Sequence, residues 1–356
     1  MKMKYLSILA LSLALTFSAC GESKKEEKAV TEQSTEKAEE KAKEAVEKEA
    51  KSSYPITVTD QIGREVTIEQ EAKKIVSGYY ISTSTLIGLD LEDRLVGVEA
   101  KAAEREIYEK SAPDLLAMPQ VGSLKAFDLE ACIALKPDLV ILAAKQKDSI
   151  KALEDLGIKV LVVNPETGEK MTEMIDLLGK VSGKEERAKE LLSFIKEKEA
   201  DVTSLVASEE KPSVYLAGNA NFLETAGAKM YQSSLIETAG GSNVAAEIAD
   251  TYWAGISYEQ FLSWNPQYII LASDATYTVE DVLNDPNLVN ADPIKNKNVY
   301  QMPKDTEAWD SPVPSSVLGS VWLSGILHGD KVEKKSYLEV ANEYYEKFYG
   351  FTYSQN

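Results

Sequence analysis

From Ile56 onward the chain alternates apolar and polar residues before it changes period. ITVTDQIGREVTI places Val, Ile and Thr at two-residue spacing on either side of Gly63, which predicts a β-hairpin. A repeated rhythm follows. KKIVSGYY predicts a strand, STSTLIGLDL a helix and RLVGVEA a strand; DLEACIALK then leads into PDLVILAA, and SIKALEDLG into IKVLVVN. Strands alternating with helices argue for a parallel sheet covered on both faces, here over residues 54–165. Between about 166 and 208 apolar residues recur every three or four positions with no strand pattern. Lys184 to about Ala207 therefore predicts a single helix of about six turns. The alternation resumes over 211–305 with KPSVYLAGN, YQSSLIETAGG, SYEQFLSWN, PQYIILASD, VEDVLND and NVYQMP, and SSVLGSVWLSGILH and SYLEVANEYYEKFYG close the chain as helices. The expected fold is α/β: two Rossmann-like lobes, residues 54–180 and 211–356, joined by one long rigid helix within 181–210.

One helix-turn-strand unit is written twice. Residues 128–142, DLEACIALKPDLVIL, align without gaps to residues 257–271, SYEQFLSWNPQYIIL, sharing Glu130/Glu259, Pro137/Pro266, Ile141/Ile270 and Leu142/Leu271. Proline cannot continue a helix, so each copy reverses there into a buried strand. One copy per lobe implies two lobes built alike with a cleft between them. Ligands of open α/β sheets sit outside the carboxyl ends of the strands, which makes that cleft the expected site.

The N-terminus reads differently. MKMKYLSILALSLALTFSACGES has two lysines, an apolar run and small residues ending at Cys20, the pattern of a secretory signal over residues 1–19. Phe17-Ser18-Ala19-Cys20 is similar to the lipobox of bacterial lipoproteins, and that resemblance implies a lipid on Cys20 holding the protein to the extracytoplasmic face of the membrane. Residues 21–53, rich in Glu, Lys and Ala with few large apolar side chains, predict a charged tether that does not fold on itself.

Composition narrows the chemistry. Asp and Glu total 58 against 39 Lys and Arg, a formal charge of −19, which excludes nucleic acid or anionic lipid bound through bulk charge. Besides Cys20 the only cysteine is Cys132, in an apolar turn of helix where a buried, inert thiol is expected. The single histidine, His328, ends a helical pattern and suits a helix C-terminus. One histidine removes a histidine cluster for a bare metal ion, a Ser-His-Asp triad would need that base in a cleft rather than at a helix end, and neither GxGxxG nor GxxxxGK[ST] occurs. No enzyme and no intrinsic cofactor are expected.

Four stretches in order resemble the substrate-binding proteins of bacterial ABC importers, of the class serving iron–siderophore, haem and corrinoid uptake: KKIVSGYYISTSTLIGLDLEDRLVGVE, MPQVGSLKAFDLEACIALKPDLVIL, SLIETAGGSNVAAE and ISYEQFLSWNPQYIIL. The similarity runs from about Tyr54 to Tyr349. It implies the class III periplasmic-binding-protein fold, a monomer that captures a chelated metal or metal-containing cofactor, foremost an iron–siderophore, and delivers it to a permease dimer with its ATPase subunits. Corrinoid, haem and nickel or molybdate complexes are the alternatives within that class, and a lipid-anchored adhesion or sensing protein is the alternative outside it. In the family one glutamate per lobe pairs with permease arginines, and Glu130 and Glu259 are the matching positions. A first-turn glutamate also favours the helix dipole on its own account.

The strand-end loops are rich in aromatic residues: Tyr79 and Tyr80, Phe222 near Asn219, Tyr252-Trp253, and Trp309 in AWDSPVPSS, the segment resembling the family's last cleft loop. Rings offer rigid contact area to a bulky chelate, and Lys125, Lys145 and Lys304 suit its anionic groups. The arginines fall mostly in helical or linker patterns, which argues against a highly anionic catecholate.

Overall fold

The structure is a computed structural model that describes residues 54–249, 253–304, 306–329, 331–332 and 336–354. Cys20, the tether and Tyr252 lie outside the described residues. Tyr54 onward forms one compact unit.

The chain begins with the expected antiparallel hairpin, β1 (Ile56–Thr59) and β2 (Glu65–Ile68), turned where Gly63 takes φ 84°. β3 (Ile75–Ser77), α1 (Tyr80–Gly88), β4 (Leu95–Gly97) and α2 (Glu106–Ser111) follow. A tight ribbon, β5 (Gly122–Ser123) and β6 (Ala126–Phe127), leads into α3 (Leu129–Ala134), β7 (Leu139–Ala143), α4 (Ile150–Glu154) and β8 (Lys159–Val163). Two helices come next, α5 (Gly168–Ser182) and the 22-residue α6 (Glu185–Val206). The second half contains β9 (Ser213–Ala217), β10 (Glu224–Ala226), α7 (Tyr231–Thr238), β11 (Ser242–Asn243), β12 (Trp253–Gly255), α8 (Tyr258–Trp264) and β13 (Tyr268–Leu271). It ends with α9 (Val279–Leu283), α10 (Asp292–Lys295), β14 (Val299–Gln301), α11 (Val317–Leu327) and α12 (Ser336–Tyr349).

The two main sheets share one plan. In the first the spatial order is β4-β3-β7-β8, all parallel; in the second, β11, β9, β13 and β14 pair in parallel in the equivalent order. Numbered within each lobe, both run second, first, third, fourth. The departure is an antiparallel ribbon, β10 with β12, that joins the end of β9 through Thr225 and Ala217. The repeated sequence unit supplies the third strand each time.

Strand alternation decides which side chains join which core. Leu139, Ile141, Leu161 and Val163 face inward with Val214, Leu216 and Ile270 of the second sheet, in one cluster that runs through α5, α6, α11 and α12. Val140, Leu142, Val160 and Val162 cover the outer face of the first sheet, and Tyr215, Ile269 and Leu271 that of the second. Both sheets are therefore buried on two faces, as parallel sheets require, and they share one helical layer.

That layer contains the long connecting helix expected from Lys184 to about Ala207, α6 (Glu185–Val206). A second helix packs on it: Gly183, at φ 70°, closes α5, and a Cβ on Gly179 would stand 2.5 Å from that of Ala188, so α5 and α6 approach closely. The last helix packs on α6 and touches both lobes: Tyr344 and Phe348 lie 5.6 Å and 5.6 Å from Phe194 of α6, the Tyr349 hydroxyl meets Ser84 of α1, and Tyr345 and Tyr337 meet Trp309. Its apolar face is aromatic and finds aromatic partners there.

Candidate functional site

The carboxyl ends of β3, β13 and β14 open onto a cavity of about 380 Å3 lined from both lobes by Tyr80, the Glu104–Ile107 segment, Asp274, Lys304, Thr306–Ala308 and Ser311. Tyr80 stands at the start of α1, two residues beyond the turn after β3. Its hydroxyl donates to Glu307 Oε1 at 3.0 Å. Over the face of its ring, 3.7 Å from the centroid, lies the guanidinium of Arg105. A guanidinium over an aromatic face is attracted by the ring quadrupole, the more so out of water.

Two buried carboxylates bracket this pair. Glu99, its side chain 5% exposed, accepts from Arg105 Nε at 2.9 Å, from the Tyr108 hydroxyl at 2.8 Å and from Thr83 Oγ1 at 2.7 Å. Glu307, 3% exposed, accepts from Tyr80, from Ser84 Oγ at 2.6 Å and from Ser315 Oγ at 2.6 Å. Burial pushes the Glu307 carboxyl above the usual carboxylate range even though those hydroxyls and Arg105 oppose the rise. Burial likewise drives the Tyr80 phenol well above its ordinary value, with Glu307 adding to the shift. Both phenol and carboxyl are thus held as hydrogen-bonding groups. Thr306 Oγ1, at the same wall, is buried without a partner among the described residues. Of the rim acids, Glu106 pairs with Lys110 at 2.7 Å and Glu104 with Lys101 at 3.5 Å.

The residues singled out from sequence divide between cleft, rim and core. Tyr80 and Lys304 line the cavity. Tyr79 is half-buried against the central core, where burial raises its phenol, and Trp253 packs on that core from β12. Lys125 and Lys145 are exposed on the rim of the first lobe, where Gln146 Nε2 bridges Gly78 O at 2.8 Å and Ser123 O at 3.4 Å. Asn219 is exposed after β9 and its carbonyl accepts from Thr276 N at 3.0 Å. Two rings expected at the ligand are core residues instead. Phe222 packs among Tyr215, Phe261 and Tyr258, and Trp309, 1% exposed, donates Nε1–H to the Tyr345 hydroxyl at 3.0 Å. Cys132 is buried and burial pushes its thiol up to about 12, as expected of an inert cysteine.

Arg105, Glu99 and Glu307 were not singled out from sequence. Arg105 sits in KAAEREIYEK, among the helical and linker stretches that hold most of the arginines, and its guanidinium nonetheless lies over Tyr80 at the cavity. The one available signal was Glu99, a charge just beyond the apolar run RLVGV at a strand's carboxyl end.

Glu130 and Glu259 are both exposed in the first turns of α3 and α8. Asp128 caps one helix by accepting from Ala131 N at 2.9 Å, Ser257 the other by accepting from Gln260 N at 3.2 Å. The Glu259 carboxyl is held below its usual range by its own backbone N–H and by the Ser257 side chain.

Residues 75–306 match the family model described as periplasmic binding protein. The chain belongs to the periplasmic binding protein family. This periplasmic binding protein is 29% identical to the molybdate-binding protein MolA of Haemophilus influenzae, over 83% of its own length and 91% of MolA, and 25% identical to the petrobactin-binding protein YclQ of Bacillus subtilis, over 87% and 93%. The structure of MolA bound to molybdate superposes with a TM-score of 0.74 at 26% identity, covering 84% of this chain and 99% of MolA. CeuE of Helicobacter pylori with Ni(II) bound, at 23% identity and a TM-score of 0.73 over 83% of this chain and 97% of its own, shares the fold. The class III architecture anticipated above is thereby established, and the protein is a solute-binding component of an ABC importer. The proteins it matches are transport binding proteins rather than enzymes. Among the described residues no helix is long and apolar enough to cross a membrane, and no group of three or more His, Cys, Asp or Glu comes together that could hold a metal ion.

Proposed function

We propose that this binding protein captures a compact anionic metal complex, an oxyanion such as molybdate or a small ferric chelate, and hands it to its permease. The observation that carries this reading is Arg105, stacked on Tyr80 and held through Nε by Glu99, so that its other nitrogens can meet an anion in the cavity. A guanidinium presents its donors in a planar fork suited to oxyanions, and Thr306 Oγ1 adds a hydroxyl that lacks a partner among the described residues. A volume of about 380 Å3 lies at the small end of ligand pockets, which favours a compact complex over a corrinoid or haem. MolA and YclQ, named for molybdate and petrobactin, are consistent with either kind of anion.

The test is calorimetric titration of the mature protein with molybdate, tungstate, ferric siderophores, haem and cobalamin, repeated on Arg105→Ala. Losing a charged hydrogen-bond donor costs roughly 1.5–3 kcal/mol, so affinity for the anion should fall at least about tenfold. Binding of cobalamin or haem alone, or binding indifferent to Arg105→Ala, would overturn the proposal.

The proposal extends to how the protein is held and read. Cys20 carries the lipid, residues 20–53 give reach from the membrane, and residues 54–180 and 211–356 form the two lobes. Glu130 and Glu259, exposed on equivalent helices, are the two feet that meet basic pockets on a permease dimer.

A further inference from the structure

Glu307 lines the cavity wall, yet its two oxygens are already taken. Oε1 receives the Tyr80 and Ser84 hydroxyls and Oε2 receives Ser315 Oγ. Tyr80 and Ser84 belong to the helix that follows the first strand of the N-terminal lobe, whereas Glu307 and Ser315 follow the last strand of the C-terminal lobe. A carboxylate accepts several hydroxyls without needing to donate, and burying one without a paired cation is costly unless such donors are in place. A group of this kind in a wall between lobes orients whatever donates to it.

We propose that Glu307 is a positioning residue of the cleft: it fixes the Tyr80 ring through the phenol hydroxyl and thereby sets the guanidinium of Arg105 for the ligand. Glu99 holds Arg105 from one side, and Glu307 holds the ring beneath it from the other. Because the donors come from both lobes, the grip on the anion is tied to the spacing of the lobes. The inference rests on the reading of Arg105 as the anion-binding group, but its structural half can be measured without any ligand.

The experiment follows the Arg105 Nε–H signal in 15N-labelled mature protein, assigned by its loss in Arg105→Lys. A guanidinium 3.7 Å over a ring should show a ring-current shift in the wild type. Tyr80→Phe keeps the ring and removes only its anchor; with Glu307→Ala it should move the Arg105 signal in the same direction, and the double variant should go no further. Glu307→Gln retains an acceptor for Tyr80 and should stay near the wild-type position. With molybdate as the probe, Tyr80→Phe and Glu307→Ala should each weaken binding about tenfold, and Glu307→Gln should restore most of it. An Arg105 signal that is unmoved in Tyr80→Phe and Glu307→Ala overturns the proposal. If Glu307→Ala fails to fold, Tyr80→Phe alone decides the outcome. Failure of molybdate to bind the wild type would count against the anion reading, and the ligand-free signal would still decide the role of Glu307.

Discussion

A buried carboxyl surrounded by hydroxyls carries a stability signature that depends on pH. Glu307 is buried in the cavity wall, faced by the hydroxyls of Tyr80, Ser84 and Ser315, with Arg105 and the phenols of Tyr344, Tyr345 and Tyr349 nearby, and its carboxyl is raised by burial. A folded pKa above the unfolded one means that the native state holds the proton more tightly. The stabilising contribution is therefore full below the unfolded value and is lost as pH rises through the folded one. Glu307→Gln lacks that titration. In chemical denaturation followed from pH 4.5 to 8, the stability of the variant relative to wild type should climb with pH; a flat difference would mean that Glu307 does not titrate in that window. Aromatic residues beside strand ends divide between cleft and core in the same way. Phe222 and Trp309 stand in loops beside strand ends, as Tyr80 does, but Trp309 meets Tyr337, Tyr345 and Tyr353, and Phe222 meets Tyr215 and Phe261. Nothing in a local sequence separates a ring that faces a cleft from one that faces other rings.

At the scale of the element the two copies of the helix-turn-strand unit coincide in detail. Each helix is capped by the side chain at the aligned position, Asp128 or Ser257. Each ends on a residue of positive φ before the proline, Lys136 at 51° and Asn265 at 42°. Each then ties the third strand to the start of the first: Asp138 Oδ2 accepts from Lys73 N and Lys74 N at 3.0 Å and 3.0 Å, and Gln267 Oε1 accepts from Ser213 N at 2.8 Å. A left-handed conformation costs a lysine roughly 1–2 kcal/mol, whereas asparagine tolerates it. Lys136→Gly should accordingly raise stability by about 1 kcal/mol and Asn265→Gly by less, measured by urea denaturation. Equal gains would show that the two turns are not strained as their side chains imply. Strand, helix and turn in this unit were legible because each is written in local terms: apolar period, cap and proline.

For the whole molecule the consequence is a pair of lobes set on a common helical layer, one core reaching the inner faces of both sheets. A shared core of that kind ties the spacing of Glu130 and Glu259 to the packing of both lobes, which is what the docking role proposed for them on a two-subunit permease would use. Glu130→Lys with Glu259→Lys should abolish uptake in cells while leaving ligand affinity in vitro within about twofold, since both side chains are exposed and neither lines the cavity. Uptake that survives the double charge reversal would remove them from the docking role. The place of the last helix belongs to this scale as well. SYLEVANEYYEKFYG reads as an amphipathic helix, but the partner of its aromatic face, Phe194 and the first lobe, lies more than a hundred residues away.

By itself the sequence determined the main strands and helices, their order, the doubling of the lobes and the aligned places of Glu130 and Glu259, because periodicity, caps and prolines act over a few residues. Tertiary structure decided which groups surround Tyr80 and Lys304 in the candidate site. Arg105, Tyr80, Glu99 and Glu307 are scattered from residue 80 to residue 307, and neither a cation on a ring nor a carboxylate among hydroxyls leaves a local pattern. Burial decided the rest, since whether a ring, an arginine or a carboxylate serves core or cleft depends on which neighbours exclude water from it, and those neighbours arrive from distant parts of the chain.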